Sequence, residues 1–224
     1  MLDKLYDNTV LPGERCEEIK SIVKLHIDKT PIKIIKIAKS KMVYKLIFDE
    51  IPPIRLDDKW SEYEITKMQE VAYENGIEIP KVIKVEGLCK YSEWITGVLW
   101  MRVFNLAEAF YKAGYLMGRM NLIEYENTGS FLTNGEFSPP NAVWTNDNKM
   151  YVIDHGRMRT SKNPDMSVVQ VVLKRIRDKE RTKVFLSGYS QHRNIDSIMK
   201  IIKEKNWIWE SRKPLKINLP SLEY

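Results

Sequence analysis

Cysteine is scarce in this sequence, which contains only Cys16 and Cys89. Two scattered cysteines exclude a disulfide framework and a cysteine-rich zinc site. The sequence also lacks an apolar run long enough to span a bilayer, and its opening residues lack the basic-then-apolar order of a signal peptide. We therefore expect a protein of the reducing cytoplasm with no membrane span.

The composition narrows the classes of partner. Hydrophobic residues make up 43% of the 224 residues, enough for one large domain or two small lobes with a real core. The net charge of +6 favours a polyanionic partner such as a nucleotide, a nucleic acid or an anionic lipid. A nucleic-acid-binding module that uses the basic surface is one functional hypothesis, but the sequence has no helix-turn-helix spacing, zinc pattern or aromatic-basic RNA signature to support it.

Polar groups are concentrated around one predicted β-hairpin. Its two short apolar runs are joined by a polar turn and comprise Ala142 to Trp144 and Met150 to Ile153. Glu136 and Asn141 precede this hairpin, and Asp154 follows it, so these groups should converge at one end. Carboxylate and amide oxygens suit Mg²⁺, and a second carboxylate can orient a hydroxyl for attack. A plain hairpin with polar ends is the alternative, because Asn and Asp are common turn residues.

These residues resemble the catalytic and metal-binding loops of the aminoglycoside phosphotransferase and choline kinase group of protein-kinase-like proteins. That group has the pattern H-G-D-x-x-x-x-N before a hairpin and I-D-F/W/H after it. The resemblance implies that Asn141 and Asp154 bind Mg²⁺ and that Glu136 is the catalytic carboxylate. Two departures bear on catalysis: Asn134 replaces the family's His, and Glu136 replaces its Asp.

A change to alternating apolar residues after Pro31 predicts two strands, about 32–37 and 42–46, with a turn between them. In the resembling family this turn lies over the ATP phosphates. Ser40 and Lys41 are therefore candidate phosphate ligands, since a hydroxyl and an ammonium group both bind phosphate oxygens. The turn contains no glycine, and an ordinary hairpin is the equal alternative.

Arg55 is the candidate phosphate-binding cation on a third predicted strand, 52–56. Most kinases carry a Lys at this place, whereas choline-kinase-like proteins often carry an Arg. A guanidinium can hold phosphate through a bidentate fork, so Arg55 fits that branch. Lys45 on the preceding strand is the alternative for this role.

A helix is predicted over 58–75, with Asp58 as its cap and Gly76 at its end. It resembles the single N-lobe helix of kinases, whose Glu pairs with the strand cation. Glu64 fits that role better than Glu62, because apolar residues follow it at one and two turns. The alternative is that Glu64 is a solvent-facing acid on an amphipathic helix.

The segment from Tyr91 to Gly97 resembles the family's hinge, where backbone groups hold adenine. The candidate nucleotide contacts there are Glu93, Trp94 and Ile95. We place the lobe boundary near Gly97. The predicted domains are an N-lobe over 1–96, with a leading helix at about 12–26, and a helical C-lobe over 97–224.

The second half is predicted to be helical around the central hairpin. Asn105 and Glu108 predict an N-cap, and apolar residues then recur at helical spacing as far as Met120. Two later helices are predicted near 165–187 and 194–206.

The predicted fold class is therefore α+β, a bilobal protein-kinase-like fold with a small antiparallel β N-lobe, one N-lobe helix and a mainly helical C-lobe. The resemblance implies a kinase that uses ATP and Mg²⁺ to phosphorylate a hydroxyl of a small molecule, a sugar or a protein. The alternative is a pseudokinase that binds nucleotide or serves as a scaffold. The absent His, the Glu at 136 and the glycine-free turn favour that alternative.

Overall fold

The structure is a computed structural model that describes residues 6–11, 13–38 and 42–204. The chain divides into two compact units. The first contains Met1–Tyr63 and Pro80–Trp94, and the second contains Glu64–Ile79 and Ile95–Tyr224. The sequence predicts a single boundary between the lobes, near Gly97. In the structure, Glu64–Ile79 belongs to the second unit because its apolar residues join that unit's core.

The first unit is built on a six-stranded antiparallel sheet with the strand order β1-β2-β3-β4-β6-β5. Its strands are β1 (Tyr6–Val10), β2 (Lys33–Ala38), β3 (Val43–Ile47), β4 (Ile54–Asp58), β5 (Val82–Glu86) and β6 (Cys89–Glu93). Helix α1 (Gly13–Ile27) buries Ile19 and Val23 in a core that also contains Leu46 and Leu56. The structure confirms the leading helix and the three predicted strands, and it adds β1. The candidate phosphate ligands Ser40 and Lys41 lie outside the described residues.

The second unit is mainly helical around short strands. Its helices are α2 (Tyr63–Glu74), α3 (Ala107–Met120), α4 (Asp165–Val171), α5 (Lys179–Tyr189) and α6 (Asp196–Glu204). Its strands are β7 (Val98–Leu99), β8 (Phe131–Asn134), β9 (Ala142–Trp144), β10 (Met150–Val152) and β11 (Met158–Ser161). Strands β9 and β10 form the predicted antiparallel hairpin, and β7 pairs with β9. Strands β8 and β11 form a separate two-stranded ladder.

Close backbone approaches explain two glycines. A Cβ on Gly114 of α3 would lie 1.8 Å from the carbonyl oxygen of Phe185 in α5. A Cβ on Gly97 would lie 2.4 Å from the carbonyl oxygen of Trp144. Glycine is therefore required where α3 meets α5 and where the chain enters β7 beside the hairpin.

Two predicted helix caps are wrong. Asp58 ends β4, and its carboxylate pairs with Arg15 and accepts a hydrogen bond from the backbone of Lys59. Helix α3 has Leu106 in the N-cap position without a side-chain cap, so Asn105 is not the cap.

The predicted helix near 165–187 is interrupted. A π-helical turn, Val172–Ile176, follows α4, and Arg177 then adopts a left-handed φ of 56°. Asp178 starts α5 by accepting a hydrogen bond from the Arg181 backbone at 2.8 Å. The last predicted helix is confirmed as far as Glu204. Among the described residues, no helix combines the length and apolar character needed to span a membrane.

Candidate active site

Asn134 ties together the two loops that flank the hairpin. This residue ends β8 and is 1% exposed. Its Nδ2 donates to the Asp154 carbonyl oxygen at 3.0 Å, and its Oδ1 accepts from the Glu136 backbone N–H at 2.8 Å. One buried amide thus fixes the backbones of both predicted carboxylates.

Asn141 is oriented by a second amide contact. It closes the 3-10 turn Pro139–Asn141, and its Nδ2 donates to the Glu136 carbonyl oxygen at 3.0 Å. Its carbonyl oxygen accepts from the Ile153 backbone at 3.0 Å. Because the NH₂ end of the side chain is engaged, the amide Oδ1 is the end suited to a metal ion.

The predicted carboxylates both border Gly156. A Cβ on this glycine would lie 3.4 Å from Asp154 Oδ1 and 3.9 Å from Glu136 Oε2. The Gly156 backbone also donates to Asp154 Oδ1 at 3.2 Å. Phe137 anchors the loop, since it is 2% exposed and its ring lies 5.7 Å from that of Trp100. The structure thus brings Glu136 and Asp154 to one place, as the hairpin pattern predicts.

Arg157 is an additional charged group at this place. Its Nε lies 3.0 Å from Glu136 Oε1. The Glu136 side chain is 21% exposed and that of Arg157 is 70% exposed. The ion pair therefore lies at the water-facing edge of the loop, and it leaves Glu136 Oε2 on the side of Gly156.

The oxygen atoms available here fit Mg²⁺. Asn141 and Asp154 offer one neutral and one anionic oxygen ligand, which is the small protein share that Mg²⁺ takes when phosphates and water complete its shell. The described residues contain no cluster of three or more His, Cys, Asp or Glu side chains arranged for a metal ion. A zinc-type site is thus not present in this part of the chain, and the asparagine–aspartate pair is the candidate for a metal.

In the first unit, Arg55 and Lys45 share one face of the sheet. They are direct cross-strand partners between β3 and β4, so their side chains leave the sheet on the same side. The Arg55 fork holds Asp57, with Nη2–Oδ1 at 2.8 Å and Nε–Oδ2 at 3.0 Å. Asp57 is 5% exposed and also lies 3.8 Å from the Nζ of buried Lys90. Asp57 therefore fixes the orientation of Arg55.

Lys45 has a different environment. Its Nζ lies 4.5 Å from the ring centre of Trp94, within the range of a cation–π contact. Partial burial lowers the pKa of the Lys45 ammonium group. Both proposed phosphate ligands therefore remain candidates, with Arg55 held by a carboxylate and Lys45 by an aromatic face.

Of the other predicted nucleotide contacts, the structure describes Glu64, Glu93, Trp94 and Ile95, and their roles stay predictions. Glu64 lies in the first turn of α2, where Lys67 Nζ is 3.2 Å from its carboxylate, and its pairing with Arg55 stays a prediction. Glu93 accepts a hydrogen bond from the Lys81 backbone at 3.1 Å. Trp94 and Ile95 are half-buried where the chain passes from the first unit to the second.

Sequence reasoning missed Asp57, Arg157 and the role of Asn134. Alternation along β4 could have placed Asp57 beside Arg55, because residues two apart on a strand share a face. The contacts of Asn134 and Arg157 depend on the β8–β11 ladder, and two such short strands give little periodic signal.

No protein-family model matches the sequence, and no curated protein matches it. Solved structures do match. A spectinomycin phosphotransferase in complex with ADP and spectinomycin aligns with a TM-score of 0.63 and 12% identity over 82% of each chain. An ethanolamine kinase from Plasmodium vivax aligns with a TM-score of 0.63 and 12% identity, covering 89% of this chain and 81% of its own.

A choline kinase from Streptococcus pneumoniae aligns with a TM-score of 0.61 and 13% identity, covering 85% of this chain and 86% of its own. At these identities the likeness shows the fold. The chain shares its α+β fold with these solved phosphotransferases and kinases, which confirms the predicted fold class and the structural resemblance.

Proposed function

We propose that this protein is an ATP- and Mg²⁺-dependent phosphotransferase that acts on the hydroxyl of an acceptor. The main supporting observation is the bridge made by the Asn134 side chain between the loops of Glu136 and Asp154. Its Oδ1 accepts from the Glu136 N–H at 2.8 Å, and its Nδ2 donates to the Asp154 carbonyl oxygen at 3.0 Å. The structural neighbours support the same class, since they are named as phosphotransferases or kinases and one was solved with ADP. The two free cysteines suit the reducing cytoplasm in which we place this activity.

Each polar group receives a role that its surroundings support. Asp154 and Asn141 Oδ1 would hold Mg²⁺, which when bound neutralises charge on the donor phosphates. Arg55, oriented by Asp57, would bind phosphate oxygens, and Lys45 is the alternative. Further nucleotide contacts are assigned on the resemblance alone: Ser40, Lys41, Glu64, Glu93, Trp94 and Ile95.

In the proposed transfer, the acceptor oxygen forms a bond to the γ-phosphorus of ATP while the bond from that phosphorus to the ADP oxygen breaks. The acceptor proton passes to Glu136. Glu136 Oε2 is the atom we assign to this role, since Oε1 is paired with Arg157 and Oε2 faces the Gly156 side. Positioning and charge neutralisation account for most catalysis of this reaction class.

One observation favours the second candidate function, a nucleotide-binding protein without transfer. Glu136 is longer than the Asp of the resembling family, and its carboxylate is held by Arg157 at 3.0 Å. A displacement of about 1 Å at a reacting group can cost roughly 10²-fold in rate. If the ion pair holds Glu136 away from the acceptor, ATP binds without productive transfer.

The two candidates differ in their response to changes at Glu136. We would measure ADP formation from Mg²⁺-ATP for the parent, Glu136→Gln and Glu136→Asp, with the exposed α5 variant Glu180→Gln as the matched control. A working base predicts that both Glu136 variants lose activity while Glu180→Gln does not. Nucleotide binding without turnover in the parent would support the second candidate. Equal rates for the parent and Glu136→Gln would remove Glu136 from the mechanism.

A further inference from the structure

Two arginines flank the turn that presents Glu136. In the β8–β11 ladder, Arg159 lies opposite Thr133, and the Gly135 backbone donates to the Arg157 carbonyl oxygen at 3.2 Å. A Cβ on Gly135 would lie 3.8 Å from Arg157 Cβ and 3.8 Å from Arg159 Cζ. Because Gly135 has no side chain, this position, one residue before Glu136, leaves a small surface that both arginines border.

Among the described residues, Arg157 and Arg159 together have one carboxylate ion-pair partner, Glu136. Arg157 is 70% exposed and has Glu136 as its carboxylate partner. Arg159 is exposed, and within 6–11, 13–38 and 42–204 its guanidinium has no ion-pair or hydrogen-bond partner. Both arginines thus border Gly135, whereas Glu136 Oε2 and the Asp154 carboxylate lie on the side of Gly156, so the Gly135 side of the loop is the positive one. Such a surface attracts an anion and repels a cation.

We infer that the acceptor carries an anionic group, a phosphate or a carboxylate, that Arg157 and Arg159 bind while its hydroxyl faces Glu136. The inference rests on the proposed function for the position of the hydroxyl. Guanidinium forks match both anions through paired charge-assisted hydrogen bonds. The adjacent Gly135 allows the anion to approach the two arginines without contact with a side chain at that position.

This arrangement gives Arg157 a second effect. In the structure its Nε is paired with Glu136 Oε1. An acceptor anion competes for the same guanidinium, so its binding weakens that pair and leaves more of the Glu136 carboxylate for the hydroxyl proton. A neutral or cationic alcohol cannot make this exchange. The arginine pair is therefore a specificity determinant for anionic hydroxyl compounds.

The test uses four small probes that differ mainly in charge: glycerol 3-phosphate, glycerate, glycerol and choline. Each is titrated into the ¹⁵N-labelled protein, and the arginine Nε–H signals are followed by NMR. Signals are assigned with Arg157→Gln and Arg159→Gln. Both changes are at exposed side chains, so the fold should survive. Arg175→Gln, at an exposed arginine on the π-helical turn, is the matched control for loss of one positive charge.

We expect glycerol 3-phosphate, glycerate or both to shift the Arg157 and Arg159 signals to saturation, while glycerol and choline leave them unchanged. Saturation by one anion alone identifies phosphate or carboxylate as the recognised group. Loss of either arginine should weaken that binding about tenfold to hundredfold, as expected for a lost hydrogen bond to a charged group. Arg175→Gln should match the parent. Absence of a saturable shift with both anions would overturn the inference.

A parallel titration with Mg²⁺-ATP separates this inference from the proposed function. If the parent binds an anionic probe but not Mg²⁺-ATP, the phosphotransferase proposal fails and the anion site stands. The double variant Arg157→Gln/Arg159→Gln gives the second comparison. If it lowers the affinity for Mg²⁺-ATP as much as the affinity for the probe, the two arginines bind the ATP phosphates, and the inference about the acceptor is wrong.

Discussion

Replacement of Asn134 by Ala should lower both the stability of the protein and its affinity for Mg²⁺-ATP. The side chain is 1% exposed and makes hydrogen bonds to the backbones of Glu136 and Asp154. Its removal leaves one N–H and one carbonyl oxygen without their amide partner in a partly buried place. Each such group costs about 1–3 kcal/mol, so we expect the free energy of unfolding to fall by about 2–6 kcal/mol.

Asn134→Asp should be worse than Asn134→Ala. One carboxylate oxygen can still accept from the Glu136 N–H, but the other would face the Asp154 carbonyl oxygen, where the amide now donates. A buried charge is then placed against an acceptor, which is a strongly unfavourable contact. The order of stabilities therefore tests whether the amide is oriented as the structure shows.

Asn121→Ala is the matched control. Asn121 is a second buried asparagine, 0% exposed, and its Nδ2 donates to the Tyr189 hydroxyl at 3.0 Å. Urea unfolding followed by circular dichroism should show a loss of stability for both Ala variants. Calorimetry should show weaker Mg²⁺-ATP binding only for Asn134→Ala. Unchanged stability of Asn134→Ala, or equal ATP affinity of the two variants, would refute the reasoning about the bridge.

Two further predictions concern the first unit and the helical packing. In a fluorescent-nucleotide titration, Arg55→Gln should raise the Kd for Mg²⁺-ATP more than Lys45→Gln does. The reason is that the Arg55 guanidinium is already oriented by the buried Asp57 carboxylate. The opposite order would assign phosphate binding to Lys45. Gly114→Ala should lose more than about 3 kcal/mol of stability, since its Cβ would lie 1.8 Å from a carbonyl oxygen of α5. Gly118→Ala should lose less stability, because its Cβ would lie 3.0 Å from the Tyr189 carbonyl oxygen. Equal losses of stability in thermal denaturation would contradict this packing.

Local patterns were sufficient to predict the hairpin and the groups around it. The β9–β10 pair follows from two apolar runs and a polar turn, and Glu136 and Asp154 follow from their places beside it. Helix interiors were equally predictable from their apolar spacing, as α3 shows. These features depend on neighbours in the chain, which a single sequence displays.

Features that depend on distant partners were not predictable in the same way. In the sequence, Asn134 stands where the resembling family has a histidine. Its bridging role depends on the backbone of Asp154, which lies on the other side of the hairpin in the chain. The helix break near Arg177 depends on a left-handed residue followed by the Asp178 cap, inside a run that otherwise has helical spacing. Asp58 and Asn105 have the residue types of caps, but Asp58 ends β4 and α3 begins at Ala107.

The central claim is that Asp154 and Asn141 hold Mg²⁺ for a bound nucleotide. The most direct measurement is a calorimetric titration of ATP, with and without Mg²⁺, into the parent, Asp154→Ala and Asn141→Ala. We predict Mg²⁺-dependent binding by the parent, its loss in Asp154→Ala, and a smaller loss in Asn141→Ala, because a neutral amide is a weaker ligand than a carboxylate. Binding of Mg²⁺-ATP by Asp154→Ala as tightly as by the parent would contradict the metal site.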